Sequence, residues 1–130
     1  MLQRIKKLLE HNAIAIAIIT TLAIAFLSLS HLPKLDLGFK IKSSDKYLHT
    51  TAYFFLSMVW YFALRSKIKK TRFKVLLILV LIVYGIILEG LQGGLTNYRT
   101  ADFYDVLANS AGVLIATLVV NKLLKWYRTI

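Results

Sequence analysis

The sequence predicts an all-α membrane protein: a bundle of four transmembrane helices with both termini in the cytoplasm. Three observations lead there. The chain is 58% hydrophobic with a mean hydropathy of +0.64, where a soluble domain is usually about 45–50% apolar. Its apolar residues fall into four runs, about 13–29, 46–64, 75–91 and 103–124, close to the roughly 20 residues that carry a helix across about 30 Å of hydrocarbon. The basic residues are also unevenly placed. Arg4, Lys6 and Lys7, the group Arg65, Lys67, Lys69, Lys70, Arg72 and Lys74, and Lys122, Lys125 and Arg128 outnumber Lys34, Lys40, Lys42, Lys46 and Arg99 in the other connections. Lys and Arg collect on the cytoplasmic side of membrane proteins. The 130 residues are read as a single membrane domain.

The first run follows a short basic, amphipathic lead, 1–12. A signal peptide shares that pattern, but the run is long for one and no small-residue cleavage pattern precedes His31. Ala13, Ala17, Thr21 and Ala25 recur every four residues, a stripe of small side chains that lets a neighbouring backbone come close in lipid. A loop over 30–44 is marked by Pro33 and Gly38. Ser43, Ser44 and Asp45 supply helix-start chemistry, because short oxygen-bearing side chains satisfy free backbone N–H groups. In the second run Asp45, His49 and Tyr53 share a face.

The basic stretch 65–74 carries no acid. The third run is the greasiest, and helical spacing puts Gly85, Glu89 and Gln92 on one face. Gly93, Gly94 and Asn97 are turn formers in a link over 93–101. Asp102 reads as the N-cap of the fourth run, where Ala108, Gly112 and Ala116 form a second small-residue stripe. Tyr47, Trp60, Tyr61 and Tyr98 read as interfacial aromatics.

Between Lys74 and Lys122 the only charged side chains are Glu89, Arg99, Asp102 and Asp105. The predicted topology carries them, with Asp45, Lys46, His49, Gln92 and Asn109, to the outer ends of the second, third and fourth runs. Ionised groups inside a membrane are costly, about 2.5–3.5 kcal/mol at a helix centre, and mark functional sites. His49 changes charge near neutral pH and suits general acid/base work or metal ligation; the plainer reading is a hydrogen bond to Asp45 or Glu89 that locks packing. Glu89 is a base, a cation ligand, or a partner of Arg99 or Lys46. Asp102 and Asp105 also suit the positive end of a helix dipole. Asn109 is placed to bond across helices, and Arg99 either binds phosphate through its planar fork or neutralises the carboxylates.

In order and spacing, Asp45-Lys46-xx-His49-xxx-Tyr53, then Glu89-xx-Gln92, then Arg99 followed by Asp105-xxx-Asn109-xx-Gly112 resemble the VanZ-like family of small membrane proteins, over about residues 31–118. The family is named for a protein that raises bacterial resistance to the glycopeptide teicoplanin. The resemblance implies a multi-pass protein of the bacterial inner membrane and makes these polar residues the shared motif; it does not define an activity.

Two functions fit. In the first, His49, Glu89 and Asp105 are catalytic while Asp45, Lys46, Tyr53, Gln92, Arg99 and Asn109 hold a lipid-linked envelope precursor. In the second the chain is a non-enzymatic scaffold subunit among other envelope membrane proteins, and the polar group specifies helix packing. The net charge of +11 flanks apolar runs and comes without a nucleic-acid motif, so nucleic acid is not an expected partner. With no cysteine, no Gly-rich phosphate loop and no HExxH-type motif, neither cofactor nor metal is expected. A divalent cation on Glu89, Asp102 and Asp105 is a narrower option, opposed by Arg99 and Lys46.

Overall fold

In the computed structural model the described residues are 1–30, 44–97 and 100–130. Among them the chain is all-helical, with α1 (Leu2–Leu29), α2 (Ser44–Ala63), α3 (Thr71–Leu95) and α4 (Phe103–Thr129). α1, α3 and α4 are long and apolar enough to cross a membrane. α2 does not qualify by composition, because Asp45, Lys46, His49, Thr50, Thr51 and Ser57 lower its hydropathy. Only some of these polar groups are covered: Ser57 is fully buried and donates to the Tyr53 carbonyl at 2.6 Å, whereas Asp45 and Thr51 are exposed.

α2 and α4 share the largest interface, and small residues make it possible. Gly112 of α4 lies so close to α2 that a Cβ there would overlap the Thr50 carbonyl oxygen and sit 2.9 Å from the Phe54 nitrogen. Ala116 and Val120 continue this seam, fully buried. The core completed by Tyr53, Leu56, Tyr61, Leu77, Leu81 and Val113 lies between α2, α3 and α4. α1 contributes only Ala13 and Ala17 as fully covered residues, the first half of the small-residue stripe, while Ile18, Leu22 and Phe26 stay exposed.

Three local expectations change. α1 begins at Leu2, so the basic lead is continuous with the apolar helix. Gly93 and Gly94 lie within α3 rather than in a turn. Gly93 serves close approach: a Cβ there would come within 2.8 Å of the Ala101 nitrogen. Tyr61 is fully buried rather than turned outward, 2.5 Å from Thr117 Oγ1 on α4. Trp60 is also turned inward and donates to Thr21 Oγ1 at 2.9 Å. Tyr47 is exposed as expected. Pro33, Gly38, Ser43, Tyr98 and the lysines at 34, 40 and 42 lie outside the described residues.

Contacts fix which ends lie together. Gln3 Nε2 and Lys6 Nζ each donate to a carbonyl at the far end of α4, Ile130 and Tyr127, at 3.5 Å. Glu10 accepts from Tyr127 Oη at 3.1 Å and pairs with Arg65 at 3.8 Å. Both chain ends therefore meet the turn at 64–70. The start of α2, the end of α3 and the start of α4 gather at the opposite end.

Candidate functional site

α2 and α4 deliver the polar group in register. Asp45 and His49 are one turn apart on α2; Asp102, Asp105 and Asn109 descend the first two turns of α4. Asp102 caps α4, its Oδ1 accepting the Tyr104 N–H at 2.9 Å, and its Oδ2 pairs with Lys46 Nζ at 2.6 Å. Lys46 also bonds Asp105 Oδ1. One ammonium thus bridges two carboxylates of the same helix start. Hydrogen bonds from Lys46, first, and from the Tyr104 N–H hold the Asp102 carboxyl below the ordinary carboxylate value.

His49 is 14% exposed and lies between the two helices. Its Nδ1 is 2.9 Å from Asn109 Oδ1, and its Nε2 is 3.6 Å from Asp105 and 3.9 Å from Asp45. The Nδ1 contact has hydrogen-bond length; the Nε2 contacts are electrostatic. With the amide oxygen facing the ring, Nδ1–H donates and Nε2 is left to take or release a proton. Thr50 adds a second tie to α4, donating to the Ala108 carbonyl at 3.1 Å.

Glu89 is buried at the end of α3 and meets neither His49 nor Lys46 by a direct bond. Its Oε1 accepts the Asp102 backbone N–H at 2.7 Å, which joins it to the cluster through the α4 start. Gln92 is buried but faces α1, donating to the Ser28 carbonyl at 2.7 Å. Tyr53 lies deeper, 3% exposed, its ring against Gly85 and 6.3 Å from the Tyr84 ring. Its hydroxyl is the one buried side-chain polar atom without a hydrogen-bond partner among the described residues.

Of the nine candidate residues the structure therefore brings Asp45, Lys46, His49, Asp105 and Asn109 together, with Glu89 at one remove. Gln92 and Tyr53 line adjoining seams, and Arg99 lies outside the described residues. Asp102 combines capping with ion pairing, a double role that cap preference alone hides. Thr50, one turn after Lys46, joins the seam through a backbone carbonyl of α4, a partner that residue type and spacing do not signal.

The cation grouping also differs from Glu89, Asp102 and Asp105. Ligand atoms of Asp45, His49 and Asp105 lie within 4.8 Å of one another. A His whose Nδ1–H is held by an amide oxygen is oriented as metal-ligating histidines are, but Lys46 already occupies the Asp105 carboxylate.

A crevice of ≈ 160 Å³ opens beside His49 between α1 and α2. Ile24, Leu27 and Leu48 make its walls apolar, while Asp45 and His49 make its rim polar.

The sequence model of the VanZ/LLP1 family matches residues 3–125. The chain belongs to that family. The match takes in most or all of each of the four helices and every candidate residue. Comparison with curated proteins and with solved structures returns no match. What is specific to this VanZ/LLP1 protein thus rests on its own geometry, an imidazole held between helices beside a carboxylate–ammonium pair.

Proposed function

We propose that this VanZ/LLP1 protein is a four-span protein of the bacterial inner membrane with both termini cytoplasmic. Its polar site, at the outer face, binds or acts on a lipid-linked envelope precursor. The amphipathic crevice beside His49 carries this reading. A precursor of that class joins a polyprenyl chain to a phosphate-bearing headgroup; Ile24, Leu27 and Leu48 suit the chain, and the polar rim lies next to it. Lys46, its side chain 34% exposed, supplies a cation at the start of α2 that already bridges Asp102 and Asp105, and the sequence adds Arg99 in the link before α4.

His49 moves a proton through Nε2 while Asn109 holds the other ring nitrogen. Asp105, 3.6 Å from Nε2, faces the nitrogen that moves the proton. Asp45 stands at the rim, and Glu89, through Asp102, keeps the α4 start in place. The Tyr53 hydroxyl provides a free hydrogen-bonding group below the site.

The test uses purified protein in phosphatidylcholine nanodiscs with labelled undecaprenyl phosphate and diphosphate, comparing wild type with His49→Ala and Lys46→Gln. Binding or turnover is expected to fall at least tenfold in both variants. Equal binding and turnover across all three proteins would remove the precursor site.

The scaffold reading is favoured by a different observation. Apart from the Tyr53 hydroxyl, the buried polar side chains of the cluster already satisfy one another, as a packing network does. It is tested by mild-detergent pull-down from native membranes, where a chain that always elutes alone counts against it.

A further inference from the structure

At the basic end, away from His49, a second and drier crevice of ≈ 320 Å³ lies between α1, α2 and α3. Phe73, Leu77, Val80 and Leu81 of α3 form one wall, and Ile68 closes its back. The polar groups at its inner limit are turned on each other. Trp60 Nε1 donates to Thr21 Oγ1 at 2.9 Å, and Tyr84 Oη donates to the Thr21 carbonyl at 2.5 Å. Nothing there invites water, which needs several polar partners to be held. The crevice exists because α1 touches α3 only lightly.

From Phe73 to Tyr84 the wall runs about 16 Å along α3 at 1.5 Å per residue. That is about half of a hydrocarbon core of roughly 30 Å, the depth of one leaflet. Lys67 stands among the lining residues where the crevice meets the 64–70 turn. Its ammonium, like those of Lys69 and Lys70, has no partner among the described residues, whereas Arg65 is engaged by Glu10 and Lys74 by Asn121. Residues 65–74 contain no acid to compete.

We infer that this crevice holds one acyl chain of an anionic phospholipid whose phosphate sits on Lys67. The occupant follows from the two halves of the site. A dry slot of leaflet depth, opening sideways from membrane-crossing helices, is filled by a lipid chain, and unpaired ammonium groups at its mouth select an anionic headgroup over a zwitterionic one. The inference uses none of the residues at the His49 end, so the two sites stand or fall separately.

The experiment places the full chain in phosphatidylcholine nanodiscs doped with phosphatidylglycerol bearing a photoactivatable acyl chain. Crosslinks are mapped by peptide mass spectrometry. They are expected to concentrate on residues 60–68 and 73–84, and the same probe built on phosphatidylcholine is expected to label these segments about tenfold less. Lys67→Glu should lower the phosphatidylglycerol yield about tenfold, while Lys122→Glu, a charge reversal on α4, should leave it unchanged. Val80→Trp, which fills the slot and keeps every charge, should abolish labelling there. Crosslinks spread evenly over the lipid-facing residues of α1 and α4, equal labelling by the two headgroups, or full labelling in Val80→Trp would overturn the assignment. The two crevices share no lining residue, so Lys67→Glu should leave binding at the His49 crevice unchanged and failure here leaves the precursor reading intact.

Discussion

Glu89 Oε1 accepts the Asp102 backbone N–H at 2.7 Å, so a carboxylate buried near the end of α3 closes the start of α4. The first N–H groups of any helix lack intrahelical partners, and here one such donor is met from a different helix. Glu89 thereby fixes where α4 begins, and with it the positions of Asp105 and Asn109 opposite His49.

Two substitutions separate that structural role from chemistry. Glu89→Leu leaves the Asp102 N–H without its acceptor and should cost about 1–3 kcal/mol, seen as a lower melting temperature in detergent. Glu89→Gln keeps an acceptor oxygen and should melt near wild type. If Glu89→Gln nonetheless loses precursor binding or turnover, charge or proton transfer at Glu89 is required; a Glu89→Leu protein as stable as wild type would refute the closing role.

The Lys46–Asp102 pair predicts a pH dependence with a definite sign. The folded-state value of Asp102 is depressed by the Lys46 hydrogen bond. Its contribution is therefore complete above the ordinary carboxylate value of about 3.9 and is lost as pH falls through the depressed one. Thermal stability should decline below about pH 4, and Lys46→Met should flatten that acid limb. At neutral pH Lys46→Met should destabilise, because Asp102 and Asp105 lose their shared counter-charge; adding Asp105→Asn should restore part of the loss. A series of melting curves from pH 3 to 8 on the three proteins checks both statements, and identical acid limbs would defeat the first.

Much of this was legible from spacing. Asp45 with His49, and Asp105 with Asn109, define faces that meet in the cluster, whereas Tyr53, on the same face of α2, lies one turn deeper against Gly85. The small-residue stripe on α4 foretold the close approach at Gly112. Other features depend on tertiary partners that periodicity does not encode. Gln92 shares a face with Glu89, yet it bonds α1 because Ser28 happens to lie within reach. Tyr61 resembles an interfacial aromatic until Thr117 supplies a partner for its hydroxyl. Gly93 and Gly94 favour a turn by local chemistry, but they stay in α3 where the returning chain at Ala101 passes over Gly93.

The glycines give a graded test of helix contact. In Gly112→Ala the new methyl meets backbone of α2, which cannot swing aside as a side chain would. Overpacking of this kind costs about 1–3 kcal/mol and sometimes more, and the α2–α4 seam should open. Gly94→Ala enters open space within a helix, where alanine is favoured by up to about 1 kcal/mol. The expected order of melting temperatures is Gly94→Ala at or above wild type and Gly112→Ala well below; equal values would mean that α2 and α4 are not in contact at this point.

The number of membrane crossings follows from which ends meet. The chain termini contact the 64–70 turn, while α3 leads from that turn toward the end of the bundle where α4 begins. If α1, α3 and α4 cross, α2 must return the chain from the polar end to the turn, and it crosses too despite its low hydropathy. His49 and Thr50 bond to α4 and Ser57 is fully buried, the situation in which polar groups are tolerated at membrane depth, while Asp45 and Lys46 stand at the helix start. The absence of cysteine from the sequence makes this directly measurable with single-cysteine variants and a membrane-impermeant maleimide. Thr100→Cys should label in intact spheroplasts, since it lies in the link that leads to α4. Ser66→Cys and Thr129→Cys should label only after permeabilisation. Labelling of Thr100→Cys and Ser66→Cys from the same side would exclude a membrane-crossing α3, and the reverse sidedness would place the His49 end in the cytoplasm.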